Sequence, residues 1–107
     1  MKQLGVYYNN IKAGVLTELH PGADYVFQYD SEYLALRVPS ISVSLPRRSE
    51  SFKSAQLFPF FINMLPEGTN RSVICRNRRI DEKDYFGILA AMAGKDFIGA
   101  VNIKELL

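Results

Sequence analysis

The spacing of apolar residues changes its period half-way along this chain, and that change narrows the folds open to it. From Leu4 to Tyr8 branched and aromatic residues run together, Asn9-Asn10 punctuates them, and Ile11 to Leu19 resumes the run with Gly14 inside it. That pattern is two strands joined by a turn. His20-Pro21-Gly22 signals a second turn, and Asp24 to Tyr29 sets Tyr25, Phe27 and Tyr29 against Val26 and Gln28, which predicts a third strand. Asp30 or Ser31 can cap a single helical turn through Glu32 to Leu36, Val38-Pro39 stops it, and Ile41 to Leu45 reads as another short strand. The first half is therefore β-rich.

Pro46 to Ala55 is polar, with Arg47, Arg48, Ser49, Glu50, Ser51, Phe52, Lys53 and Ser54, and reads as an exposed loop between the two halves. Beyond it Phe58, Phe61, Ile62 and Leu65 fall at i, i+3, i+4 and i+7, the spacing of an amphipathic helix that Pro66 ends. Glu67 to Arg78 predicts a basic helix whose C-terminal cations suit its dipole. Asp81 is the expected cap of the next, a largely buried helix from Asp84 to Met92 ending at Gly94, and Phe97 to Ile103 is the expected closing strand. The expected fold is α+β: a small antiparallel or mixed β-sheet with about three short helices in the C-terminal half, in one domain over residues 1–107.

A chain of this size buries roughly two-thirds of its unfolded surface, enough for a core of its own. Thirteen Lys and Arg against eleven Asp and Glu leave a net charge of +2, too weak a field to imply nucleic acid. The single cysteine, Cys75, allows no internal disulfide and no zinc site by itself, which makes the cytoplasm the expected compartment. Neither a signal-peptide-length apolar run nor the ~20 apolar residues of a membrane span occurs.

No phosphate cradle of the form G-x-x-x-x-G-K-[ST] or G-x-G-x-x-G is present, and neither His-Arg-Asp nor Asp-Phe-Gly occurs, which argues against kinase chemistry by this chain. Gly94-Lys95-Asp96-Phe97-Ile98-Gly99 has the wrong spacing for a glycine loop and reads as a turn. His20, before Pro21, is expected in solvent with no acid or nucleophile beside it, and Cys75 in the core. Arg71, Arg76, Arg78 and Arg79 cluster, but Glu67, Asp81, Glu82 and Asp84 flank them, so a solvated face or local ion pairs is the favoured reading over nucleic-acid contact. Catalytic, cofactor and metal residues are all expected to be absent.

Phe58-Pro59-Phe60-Phe61-Ile62-Asn63-Met64-Leu65-Pro66 is too apolar for one helical face. Phe60 and Met64 share a face offset from the Phe58, Phe61, Ile62, Leu65 stripe, and are either anchors for a partner or a second core layer. The string Phe60-Phe61-Ile62-Asn63-Met64-Leu65-Pro66-Glu67-Gly68 resembles the F-F-x-N-L-L-P-E-G signature of the HipA N-terminal region, with Met64 where that family usually has Leu. The resemblance extends to Val6-Tyr7-Tyr8-Asn9, Ala13 to Leu16, Ile41-Ser42-Val43-Ser44-Leu45-Pro46, Arg71, Arg76 to Arg79, Asp84 to Leu89 and Gly94 to Val101.

That resemblance implies a mixed α/β subdomain that packs on a kinase core, whose own motifs follow in the same polypeptide. Met1 and Leu107 fall at the family's start and just past its last strand, so a complete protein is expected, similar to the split arrangement in which a HipS-like antitoxin acts on a shortened kinase, HipT, beside a HipB-like DNA-binding protein. The implied function is inhibition of a HipA-like kinase without chemistry, in a bacterial toxin–antitoxin system. The expected contact residues are Phe58, Phe60, Phe61, Met64, Leu65, Pro66, Glu67, Gly68 and Arg71. Rival readings are a detached subdomain that completes or activates such a kinase, and a nucleic-acid-binding accessory using the arginine cluster.

Overall fold

A computed structural model describes residues 1–94, 97 and 99–106. Strands β1 (Lys2–Tyr8), β2 (Ile11–His20) and β3 (Ala23–Tyr29) form a meander, followed by the single-turn helix α1 (Ser31–Leu34) and the short strand β4 (Phe52–Ser54). Helices α2 (Pro59–Ile62), α3 (Gly68–Arg78) and α4 (Tyr85–Ala91) lead to strand β5 (Val101–Glu105). The five strands form one sheet in the order β4-β3-β2-β1-β5, with every neighbouring pair antiparallel. The α+β expectation holds, and the sheet is antiparallel rather than mixed.

Asn9 and Asn10 both take positive φ, 48° and 68°, which is how an Asn-Asn pair turns β1 into β2. A bulge between Val6 and Tyr7 shifts the register beside Ala13. At Gly14 the β3 backbone comes so close that a Cβ would overlap the carbonyl of Gln28, so glycine alone lets β2 and β3 meet there.

One face of the sheet carries Leu4, Val6, Leu16, Phe27 and Ile103, each no more than 3% exposed. Aromatic rings from the helices close over it. Phe61 of α2 lies 5.8 Å from Phe27, Phe86 of α4 lies 6.1 Å from Tyr25, and Tyr33 of α1 stacks on Tyr29 at 5.8 Å. Such pairs add about 0.5–1.5 kcal/mol beyond area burial. Cys75 of α3 is 4% exposed in the same core, as expected, and burial pushes its thiol pKa up.

Several expectations are corrected. Ile41 to Leu45 is not a strand: Ser42 and Leu45 form an isolated bridge across a tight turn. Its backbone is claimed by a side chain instead, because Ile41 N–H donates to the Tyr29 hydroxyl, which itself donates to the Leu45 carbonyl. The missing strand is β4, inside the stretch read as a loop, where Phe52 is buried opposite Phe27. Asp84 rather than Asp81 caps α4, accepting from Gly87 N–H at 3.0 Å, while Asp81 accepts from Lys83 N–H in a local turn. The closing strand begins at Val101, not Phe97; in the expected turn at 94–99, Lys95, Asp96 and Ile98 lie outside the described residues.

The buried tyrosines give the fold a defined response to alkali. Burial, then the hydrogen bond to Glu18, raises the Tyr25 pKa from 10.0 to about 12, and burial also raises Tyr29 and Tyr33. In the unfolded chain these phenols ionise near the ordinary value, so above it the folded state holds more protons than the unfolded one. The stability they represent is complete below pH ~10 and is lost as pH rises toward ~12. The thermal midpoint is therefore expected to fall steadily across that interval, with tyrosinate absorbance rising in step with unfolding. A flat midpoint would contradict the burial described here.

Candidate functional site

The turn between α2 and α3 follows from its sequence. Pro59 occupies the first turn of α2, where its missing N–H costs nothing, and Phe58 before it is extended. The helix is only four residues long, because the chain passes into non-helical turns at Asn63 and Pro66 cannot continue it. Glu67 is extended and Gly68 takes φ 58°, a conformation that favours glycine, before α3 begins. Arg71 fastens the turn: its Nε donates to the Pro66 carbonyl at 2.9 Å, and its guanidinium lies 5.7 Å from the Tyr85 ring centroid.

The nine residues expected to form a contact divide by burial. Phe58, Phe61 and Leu65 are 9%, 0% and 5% exposed and belong to the core. Phe60 and Met64 are half-buried against its edge, with Phe60 edge-on to Phe61 at 5.3 Å. They stand between the two readings offered for them, each presenting one side to solvent. Pro66 and Arg71 are half-buried, and Glu67 and Gly68 exposed. The accessible part of the set is thus Phe60, Met64, the turn Pro66-Glu67-Gly68 and Arg71.

Beside Met64 the surface opens into a cavity of about 390 Å³ lined by Asn63, Met64, Leu65, Pro66, Asn70, Met92 and Phe97. Among the described residues its walls are thioether, aliphatic and aromatic, with two amides and no titratable group. Such a lining can accept an apolar or amide-bearing side chain. Met92 and Phe97 were missed as site residues, since they lie nearly thirty residues or more from Met64 in sequence and only the fold brings them to it. Among the described residues no group of three or more His, Cys, Asp or Glu is placed to hold a metal ion.

Elsewhere the candidates behave mostly as local structure. Arg76, Arg78 and Arg79 are exposed at the C-terminal end of α3, with Arg79 in the left-handed conformation that ends the helix. Their acidic neighbour Glu82 accepts from the Ser72 hydroxyl at 2.8 Å. His20 is exposed as expected, although it does have an acid beside it, since Asp24 lies 3.0 Å away across the turn. Glu18, only 4% exposed, accepts from the Tyr25 hydroxyl at 3.0 Å and from Gly22 N–H at 3.3 Å, which satisfies its burial. No helix among the described residues is long and apolar enough to cross a membrane.

The family model described as HipA N-terminal domain matches residues 4–104. The chain belongs to the HipA N-terminal domain family. A solved structure, the N-terminal domain of HipA toxin, superposes with a TM-score of 0.73 at 28% identity, covering 100% of this chain and 94% of that one. An uncharacterized protein of Haemophilus influenzae is 36% identical over 92 residues, 86% of this chain and 81% of its own length. A protein of Sinorhizobium fredii named "Putative kinase Y4mE" is 29% identical over 104 residues, 96% of this chain but only 24% of that protein. In this HipA N-terminal domain the signature string of residues 60–68 forms α2, the turn and the entry to α3, with the apolar cavity at its side.

Proposed function

We propose that this protein is a HipS-like antitoxin that binds a HipA-like (HipT) serine/threonine kinase and suppresses its phosphorylation without chemistry of its own. The observation that carries the reading is the α2–α3 turn. It is held rigid by Arg71 on the Pro66 carbonyl and presents Met64, Pro66 and an apolar cavity outside the core. A rigid apolar feature of this kind binds with little ordering cost and can block or lock a partner. A HipB-like DNA-binding protein is the expected third component, and the cytoplasm the expected compartment.

A second reading has its own support in the 24% share of Y4mE that this chain matches: a detached subdomain that completes the kinase and raises its activity. Co-expression with a HipA-like kinase from the same genome separates the two. Restored growth together with loss of target phosphorylation supports an antitoxin. Complex formation with preserved or higher phosphorylation makes the protein a completing subdomain, and no complex rejects both.

A further inference from the structure

We infer that the open face of the sheet is a second docking surface, which holds an acidic surface of the same kinase while the α2–α3 turn controls its activity. This rests on the kinase-binding reading above and adds where the bulk of the contact lies.

The helices make their ring contacts on one face only, at Tyr25, Phe27 and Tyr29. By the pairing register, the opposite face carries Val15, Thr17 and Val26 at its centre, with Thr17 only 8% exposed and its hydroxyl accepting from the Gln3 amide at 3.3 Å. Val15 and Val26 are half-buried, and Leu19 beside them is 41% exposed. Leu19, Val26 and Lys53 line a cavity of about 340 Å³ on this side. At the far edge Leu106 lies against Gly5, its Cδ2 3.1 Å from where a glycine Cβ would stand, so one apolar side chain already seats on this face.

The rim supplies the sign of the partner. Lys53 and Lys104 stand outward at opposite ends of the sheet, and among the described residues neither is paired with a carboxylate. Asp24 on the same face is held by His20 at 3.0 Å, and Lys12 by Asp30 at 3.4 Å. An apolar centre with a basic rim has the anatomy of a protein interface that meets an acidic surface. A single-stranded nucleic acid would instead need exposed rings on which bases stack, and Tyr7, the aromatic residue on this face, is covered by Lys104 with Nζ 4.6 Å from its ring centroid.

The test is the affinity of Lys53→Glu and of Lys53→Glu/Lys104→Glu for the HipA-like kinase from the same genome, by calorimetry at two salt concentrations, beside wild type. Both lysines are exposed, so thermal midpoints near wild type are expected for both variants. Lys53→Glu, which disturbs no ring contact, is the variant to rely on if the double one melts early. The expected result is about tenfold weaker binding for the single variant and about a hundredfold for the double, and a wild-type affinity that falls with salt. Wild-type binding with both variants unchanged overturns the docking face and leaves the antitoxin reading standing. Absence of wild-type binding overturns both. Unchanged kinase binding with a loss of affinity for a single-stranded oligonucleotide would assign the face to nucleic acid instead.

Discussion

Phe61→Ala is expected to cost about 4 kcal/mol of folding free energy, enough to bring a domain of this size close to half-unfolded at growth temperature. Phe61 is wholly buried and its ring meets Phe27, Phe58 and Phe60 at 5.8, 6.2 and 5.3 Å, so it links the sheet to both neighbours in its own segment. α2 is one turn long and cannot close over the void by itself, which places the cost toward the upper part of the usual range. The thermal midpoint should fall by about 20 °C. A drop of only a few degrees would mean that the helical layer is not packed as described. Binding to any partner would be lost along with the fold, so this variant reports on architecture alone.

Met64→Asp is the complementary experiment. Met64 is half-buried and lines the cavity beside the α2–α3 turn, so a carboxylate there can stay hydrated and should cost only about 1 kcal/mol of stability. Pressed against a kinase surface it would be buried without a partner, which costs about 3 kcal/mol or roughly a hundredfold in affinity. Loss of inhibition with an intact melting transition is the expected outcome. Full inhibition by the folded variant would remove the turn from the contact. Leu65→Asp cannot replace it, because Leu65 is 5% exposed and an aspartate there would unfold the protein.

What the sequence makes legible follows the range of the interactions involved. The β1–β2–β3 meander rests on local alternation and on turn residues such as Asn9-Asn10, and both are readable. Ile41 to Leu45 misleads because its alternation of branched residues and serines imitates a strand. The group that organises it is the Tyr29 hydroxyl, twelve positions before Ile41 and sixteen before Leu45. β4 hides for the opposite reason, since Phe-Lys-Ser has no period of its own and becomes a strand only by pairing with β3. At the candidate site the sequence indicates the surplus of apolar residues between Phe58 and Pro66. Helical spacing also tells Phe61 from Phe60, since it sets Phe61 on the stripe with Phe58 and Leu65, which is buried, and Phe60 with Met64 on the offset face, which is half-buried. The sequence does not supply Met92 and Phe97, which reach the cavity through tertiary packing.

The pairing of β1 with β5 has a consequence for synthesis. Val6 sits opposite Ile103, so the second edge of β1 stays unpaired until the residues of β5, about a hundred positions later, have emerged from the ribosome. Until then Leu4 and Val6 belong to an incomplete core, and the nascent meander has an open edge on which other strands can add. Closing a contact between residues about a hundred positions apart also slows folding relative to local hairpin formation. A fold built on this topology is complete only when its last strand is. A chain that stops before Val101 therefore lacks the strand that pairs with the outer edge of β1.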